Sequence, residues 1–127
     1  MRYICAVALW FVAQFPIAHA QDVCEFEDAV IIADDYTNTY LGSITDKSDA
    51  KSIFNENGDY GRADSLDSIW NTNGMFGSEH SVYSPRNPRT PSPPMILKDG
   101  KVVAYLTVNM SIGRALSLAS LTGRCSE

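Results

Sequence analysis

From residue 49 the chain repeats itself every sixteen residues, and nothing else in the sequence constrains the fold as strongly. Asp49-Ala-Lys-Ser52-Ile-Phe-Asn55-Glu-Asn-Gly58-Asp-Tyr60-Gly61 is followed by Ser65-Leu-Asp-Ser68-Ile-Trp-Asn71-Thr-Asn-Gly74-Met-Phe76-Gly77. A third copy, Ser81-Val-Tyr-Ser84-Pro-Arg-Asn87-Pro, keeps Ser and Asn in register before giving way to a proline segment, so the repeat occupies about residues 49–94. Within a unit, Ser52 or Ser68 is placed to cap a single helical turn, and the Ile with Phe or Trp that follows supplies a short apolar face. Gly58 and Gly74 then end that turn, because glycine accepts the left-handed conformation of a helix stop. The expectation is a run of turns and one-turn helices anchored by Ile53, Phe54, Tyr60, Ile69, Trp70 and Phe76. Two and a half units fall short of the three full repeats that a self-sufficient array requires, so this is not a solenoid and the units must lean on the rest of the chain.

The flanks supply something to lean on. Residues 29–32 and 40–44 are apolar runs around the polar, turn-rich stretch 33–39, which reads as a hairpin. Met95-Ile-Leu97 and residues 102–108 flank Lys98-Asp99-Gly100-Lys101, and Asp-Gly between apolar runs is among the strongest short-range hairpin signals. In the second of those strands Val102, Ala104, Leu106 and Val108 share one face, expected to be the core side. Ile112, Ala115, Leu116 and Ala119 recur at helical spacing up to Gly123, which predicts a short C-terminal helix. The fold class expected is α+β: a small antiparallel sheet from two hairpins, an irregular repeat-containing middle and a short C-terminal helix.

The N-terminal residues 1–20 have Arg2 as their single charge, an apolar run from Ala6 to Ala13 and the small-x-small ending Ala18-His19-Ala20, the pattern of a cleavable secretory signal peptide. Gln14, Pro16 and His19 interrupt the run well before the roughly twenty apolar residues of a membrane span. A lipid-attachment signal does not fit either, since Gln21-Asp22-Val23 precedes Cys24 without small residues beside it. Residues 21–127 are then a single exported domain. Loss of the leader removes Cys5 and leaves Cys24 near one end and Cys125 near the other, which in an oxidising compartment reads as one terminal disulfide closing the domain. On the chain-entropy model a loop of that length contributes about 4–5 kcal/mol.

The chain is 45 % hydrophobic with net charge −5, and the expected mature domain carries nine Lys and Arg (ten less Arg2) against fifteen Asp and Glu, a net charge of −6. Such a surface disfavours nucleic acid and anionic lipid, whose binding relies on Lys and Arg. Signatures of catalysis are sparse. His80 follows Glu79 and has serines nearby, but there is no Gly-x-Ser-x-Gly elbow, His-Glu-x-x-His, phosphate-binding loop or Cys-x-x-Cys around it. Asp34-Asp35 and the series Asp46, Asp49, Asp59, Asp64 and Asp67 could pair as a glycosidase-like acid and base, yet a chain rich in carboxylates places some together by composition alone. No cofactor is required by any motif. Asn55, Asn57 and Asp59 are weak calcium candidates, since Asn55-x-Asn57-Gly58-Asp59 sets oxygen ligands around a bend, though Asn before Gly is also what an ordinary turn uses. Of the aromatic residues, Trp70 and Tyr83 are the candidates for ligand binding, as a stacking surface for a sugar or the wall of a peptide groove; the competing role for both is core. Residues 91–94, Pro-Ser-Pro-Pro, deliver an extended chain into the second hairpin. Asn109-Met-Ser111 matches the glycosylation sequon, which matters only in a eukaryotic secretory pathway.

Tyr40-Leu-Gly, the Ser-Ile-Phe-Asn and Ser-Ile-Trp-Asn units with their Gly-x-Tyr/Phe-Gly followers, Ser84-Pro-x-Asn87, Pro93-Pro94 and Tyr105-Leu-Thr-Val-Asn109 together resemble a set of small exported bacterial proteins of uncharacterised function. The resemblance covers roughly residues 40–109. It implies a bacterial host and export to the periplasm or beyond, and it carries no activity across. Arg62 and Arg86 depart from the pattern, standing where a Ser after Gly61 and an apolar residue before Asn87 would be usual. The residues favour an exported, non-catalytic binding or structural accessory of the cell envelope, with an envelope or extracellular ligand, no nucleic acid and no membrane span once the leader is removed. The alternative is a small secreted hydrolase using Asp/Glu carboxylates or His80.

Overall fold

The computed structural model of the chain describes residues 23–122. The expected leader and the pairing of Cys24 with Cys125 lie outside the described residues. After a single 3-10 turn, Val23–Phe26, come β1 (Val30–Ile32), β2 (Tyr40–Ser43), β3 (Met95–Lys98), β4 (Lys101–Leu106), β5 (Ala115–Leu116) and the four-residue helix α1 (Leu118–Leu121). The strands form one sheet in the order β2-β1-β3-β4-β5. No helix among the described residues is long and apolar enough to cross a membrane.

Both hairpins form where the apolar runs place them, and β1 pairs antiparallel with β3 to join them. In the second hairpin Asp99 and Gly100 both have positive φ, 54° and 80°, which is the backbone a two-residue turn needs to follow the twist of its strands. Ile31, Ile96 and Ala104 are opposite one another across β1, β3 and β4, and all three are buried. With Leu106, Leu116 and the helix residues Leu118 and Leu121 they belong to one continuous core, which the repeat enters through Ile53, Ile69 and Phe76.

Three expectations for the sheet and the C-terminal segment are corrected. The sheet is mixed, because β5 runs parallel to β4. The expected C-terminal helix forms only from Leu118 to Leu121, and residues 112–117 are not helical: the Asn109 side chain accepts the Ser111 N–H and hydroxyl, the Ile112 N–H closes a turn on the Asn109 carbonyl, and Arg114 has φ of 59°. These local bonds hold the chain in turns up to Arg114; Ala115 and Leu116 then form β5, and the helix waits for Ser117, whose Oγ accepts the Ser120 N–H and caps α1. On β4, a bulge leaves Leu97 opposite Val102 and Ile96 opposite Ala104, so Val103 also packs against the core. The strand ends at Leu106; Val108, expected on the core face, is 37 % exposed, and Thr107 is buried.

The repeat is built from turns in steps of three residues. The N–H groups of Ser52, Asn55 and Gly58 close on the carbonyls of Asp49, Ser52 and Asn55; one four-residue step from Gly58 to Arg62 follows, and Ser65 begins the next unit. The same bonds recur through Ser68, Asn71 and Gly74, with the four-residue step to Ser78, and again through Ser84, Asn87 and Thr90. No one-turn helix forms between them. Ser52 and Ser68 accept the N–H two residues on, from Phe54 and Trp70, so the side chain fastens a turn instead of capping a helix. Gly58 and Gly74 are not left-handed either; among the described glycines positive φ is confined to Gly42 and Gly100.

Successive units are stitched together, and the stack is bonded to the sheet at both ends. At the start, Ser43 and Ser52 form a parallel bridge, with the Ser43 N–H on the Lys51 carbonyl and the Ile53 N–H on the Ser43 carbonyl. Gly42, with φ of 119°, lets the first unit approach: a Cβ there would stand 2.7 Å from Ile53 Cγ2 and 2.8 Å from Tyr60 Cβ. At the finish, Leu106 and Val108 donate to the Pro94 and Pro85 carbonyls, and Asn109 Nδ2 donates to the Thr90 carbonyl.

Gly61 and Gly77 occupy equivalent places where the chain folds back on its own unit. A Cβ would lie 2.0 Å from the Asn55 carbonyl oxygen at the first and 2.2 Å from that of Asn71 at the second. Gly61→Ala and Gly77→Ala are each expected to cost at least the roughly 3 kcal/mol at the upper end of ordinary point substitutions, measured as the shift in urea midpoint. Gly113→Ala, which meets nothing within 4 Å, should stay within about 0.5 kcal/mol.

Candidate functional site

Phe54, Trp70 and Arg86 are separated by sixteen residues each and so occupy the same place in the three units. Trp70 Nε1 donates to the carbonyl of Ile53, 2.7 Å away in the preceding unit. Arg86 makes the equivalent bond one unit later, Nη1 to the Ile69 carbonyl at 3.0 Å, and a second to the Gly77 carbonyl at 3.0 Å. Two different side chains thus perform one task, reaching back seventeen residues to satisfy a carbonyl that the turn leaves open. The arginine at position 86, a departure from the expected apolar residue, is explained by this bond. Its type hid its role, because no hydrophobic pattern registers a donor.

A groove of about 500 Å³ opens beside the first two members of this column, lined by Ile53, Phe54, Glu56, Gly61, Ala63, Trp70 and Thr122. Ile53 is fully buried and forms its floor; Phe54 and Trp70 are half-buried and packed against the core, and Glu56 and Ala63 are exposed at its rim. The turn bonds fix this lining. The Phe54 N–H is bound to Ser52 Oγ, the Trp70 N–H to Ser68 Oγ and the Gly61 N–H to the Gly58 carbonyl. The Trp70 bond to Ile53 further restricts its ring.

The other sequence candidates are dispersed. Tyr83 packs against the core and is not among the residues lining the groove. His80 is exposed, its backbone N–H held by Ser78 Oγ. The Asn55 amide is engaged at both ends: Oδ1 accepts the Asn57 N–H and Nδ2 donates to the Asp49 carbonyl, as Asn71 and Asn87 do to Ser65 and Ser81. Asp59 faces the Arg62 guanidinium at 3.8 Å, while Arg62 Nε bonds Asp64 at 3.1 Å. Among the described residues no three His, Cys, Asp or Glu side chains converge as a metal site would. Asn109, the sequon asparagine, is tied through Nδ2 to Thr90 and through Oδ1 to Ser111.

The carboxylates near the turns act as acceptors. Burial raises the Asp35 carboxyl, but the Thr39 N–H and hydroxyl, at 3.0 and 2.8 Å, outweigh it and hold the group below the ordinary aspartate value. Asp46 is lowered by the Ser48 backbone N–H, and Asp49 by that of Lys51. A general acid needs the opposite displacement. Burial moves Tyr60 upward, with the negative charge of Asp67 adding to it; its ring meets that of Tyr40 edge-on at 5.1 Å.

Comparison with protein-family models, with curated proteins and with solved structures finds no match to this chain.

Two outcomes follow. Arg86→Met keeps much of the length but leaves the Ile69 and Gly77 carbonyls without their donor, and should lower stability by about 1–3 kcal/mol in urea unfolding, the cost of orphaned polar groups. The lowered aspartates stabilise the fold above the unfolded value of 3.8, and that contribution is lost as pH falls through their lower folded values. The melting temperature should therefore drop below about pH 4, and Asp35→Asn, which keeps an acceptor but no longer titrates, should make that drop shallower.

Proposed function

We propose that the protein is an exported, non-catalytic binding module of the bacterial cell envelope whose ligand lies in the groove between Phe54 and Trp70. The observation that carries this reading is the Trp70 ring, fastened through Nε1 to Ile53 while lining an open groove. A surface held in place before the ligand arrives loses little freedom on binding. Concave sites lined by apolar and aromatic groups with a few polar atoms are the usual form of small-molecule sites, and about 500 Å³ is within their range. Export is supported by the pattern of residues 1–20 and by the resemblance of the repeat units to small exported bacterial proteins. A disulfide between Cys24 and Cys125 suits that destination. The non-catalytic reading draws on the exposure of His80 and on the downward displacement of Asp35, Asp46 and Asp49.

Retention of the exported protein on isolated cell-envelope fractions tests the reading. Ala63→Arg puts a long side chain at the rim of the groove from an exposed position and should leave stability unchanged. Saturable retention of the parent protein, its loss in Ala63→Arg and recovery of the bound material uncleaved are the expected results. Equal retention of both proteins, or cleavage of the bound material, would overturn it.

A further inference from the structure

We propose that the groove takes a neutral glycan chain, one sugar ring stacked on Trp70 with its hydroxyl groups hydrogen-bonded to Glu56; this rests on the groove being the binding site. The polar atoms in the lining determine the chemistry. Glu56 offers a carboxylate, an acceptor only. The Thr122 hydroxyl donates to the Ala119 carbonyl at 2.8 Å, so what it presents to the groove is its oxygen. The Trp70 ring N–H, the aromatic donor that would otherwise bond a ligand, is committed to Ile53. The site therefore combines a fixed apolar ring with acceptors and suits a ligand that has an apolar face edged by donors. A pyranose is such a body, with C–H groups on its face and hydroxyls around its rim.

The alternative occupants fit less well. A peptide added as an extended strand needs backbone donors and acceptors in a row. Along the aromatic wall of this groove they are used internally: the N–H groups of Ile53, Phe54, Gly61 and Trp70 bond Ser43, Ser52, Gly58 and Ser68, and the Ile53 carbonyl holds Trp70. An anionic polymer meets Glu56, no lysine or arginine among the described residues of the lining, and a chain of net charge −5. Neutral hydroxyl-rich chains meet neither obstacle.

The test is titration of the exported protein, followed by tryptophan fluorescence and calorimetry, with chitotetraose, cellotetraose, maltotetraose, polygalacturonate and a mixture of unstructured peptides. Saturable binding of at least one neutral tetrasaccharide is expected, abolished by Ala63→Arg and weakened about ten-fold by Glu56→Gln, which keeps an acceptor oxygen but removes its charge. Glu56 is exposed, so the fold should not depend on it. If no neutral tetrasaccharide saturates at millimolar concentration, or if polygalacturonate or peptides bind in their place, the glycan assignment is wrong. The groove reading would still stand in that case if envelope retention remains sensitive to Ala63→Arg. Tetrasaccharide binding that Ala63→Arg does not alter would overturn both.

Discussion

The hydrogen bond that closes the chain on itself every third residue is what the rest of this molecule depends on. From Asp49 to Thr90 the backbone forms neither helix nor strand, apart from one isolated bridge at Ser52, yet its polar groups are paired at each corner by the carbonyl three residues back. That pairing allows a segment of Ser, Asn and Gly to enter the interior without the penalty of open backbone groups. Ser52, Ser68 and Ser84 are fully buried and each hydroxyl is used within its turn, accepting from the residue two positions on. Between the corners, Ile53, Ile69 and Pro85 project inward, so burial as well as sequence repeats at sixteen.

The parts of this fold legible in the sequence are those whose signal is local and unambiguous. Asp99-Gly100 between apolar runs specifies a hairpin because few other residues adopt positive φ twice in succession. The repeat was visible, but its internal step was not. Steps of three, closed by one of four, return to sixteen, and the small polar residues at Asp49, Ser52, Asn55 and Gly58 mark them once the turn bonds are known. Ser followed by an apolar pair reads equally well as a helix cap, since both structures use the same oxygen to accept a nearby N–H; only the partner's distance along the chain differs. The C-terminal segment misleads for a related reason. The apolar spacing of Ile112 to Ala119 is helical, but the Asn109 side chain takes the Ser111 N–H and β4 takes Ala115 and Leu116, so the helix is delayed until Ser117.

The groove was half legible. Trp70 stands out by size, and its position in the repeat beside Phe54 follows from the spacing. What the sequence does not carry is which of its surfaces is used. Its ring contributes to the core, its nitrogen to the stitch between units and its remaining surface to the groove. Tyr83, also aromatic and also in the repeat, lies at a different corner of its unit and serves the core alone among these. Arg86 shows the converse, a polar residue in the aromatic column that keeps the stitch and adds a second acceptor. Chemical likeness along the sequence and likeness of role in the structure are separate properties here.

The repeat is bonded to β2 at its start and to Leu106 of β4 at its finish; the chain enters it from β2 and leaves it into β3, and β2 and β3 are held apart by β1 alone. The interval between them is two strand spacings, about 9–10 Å, and it does not depend on what lies between. The sheet therefore acts as a gauge for copy number. Tandem sequences this similar invite unequal recombination, but a chain with one unit more or fewer would have to bridge the same fixed interval with a stack of different height. Growth by duplication, the ordinary route by which repeat proteins lengthen, would here have to be matched by a change in the anchoring strands.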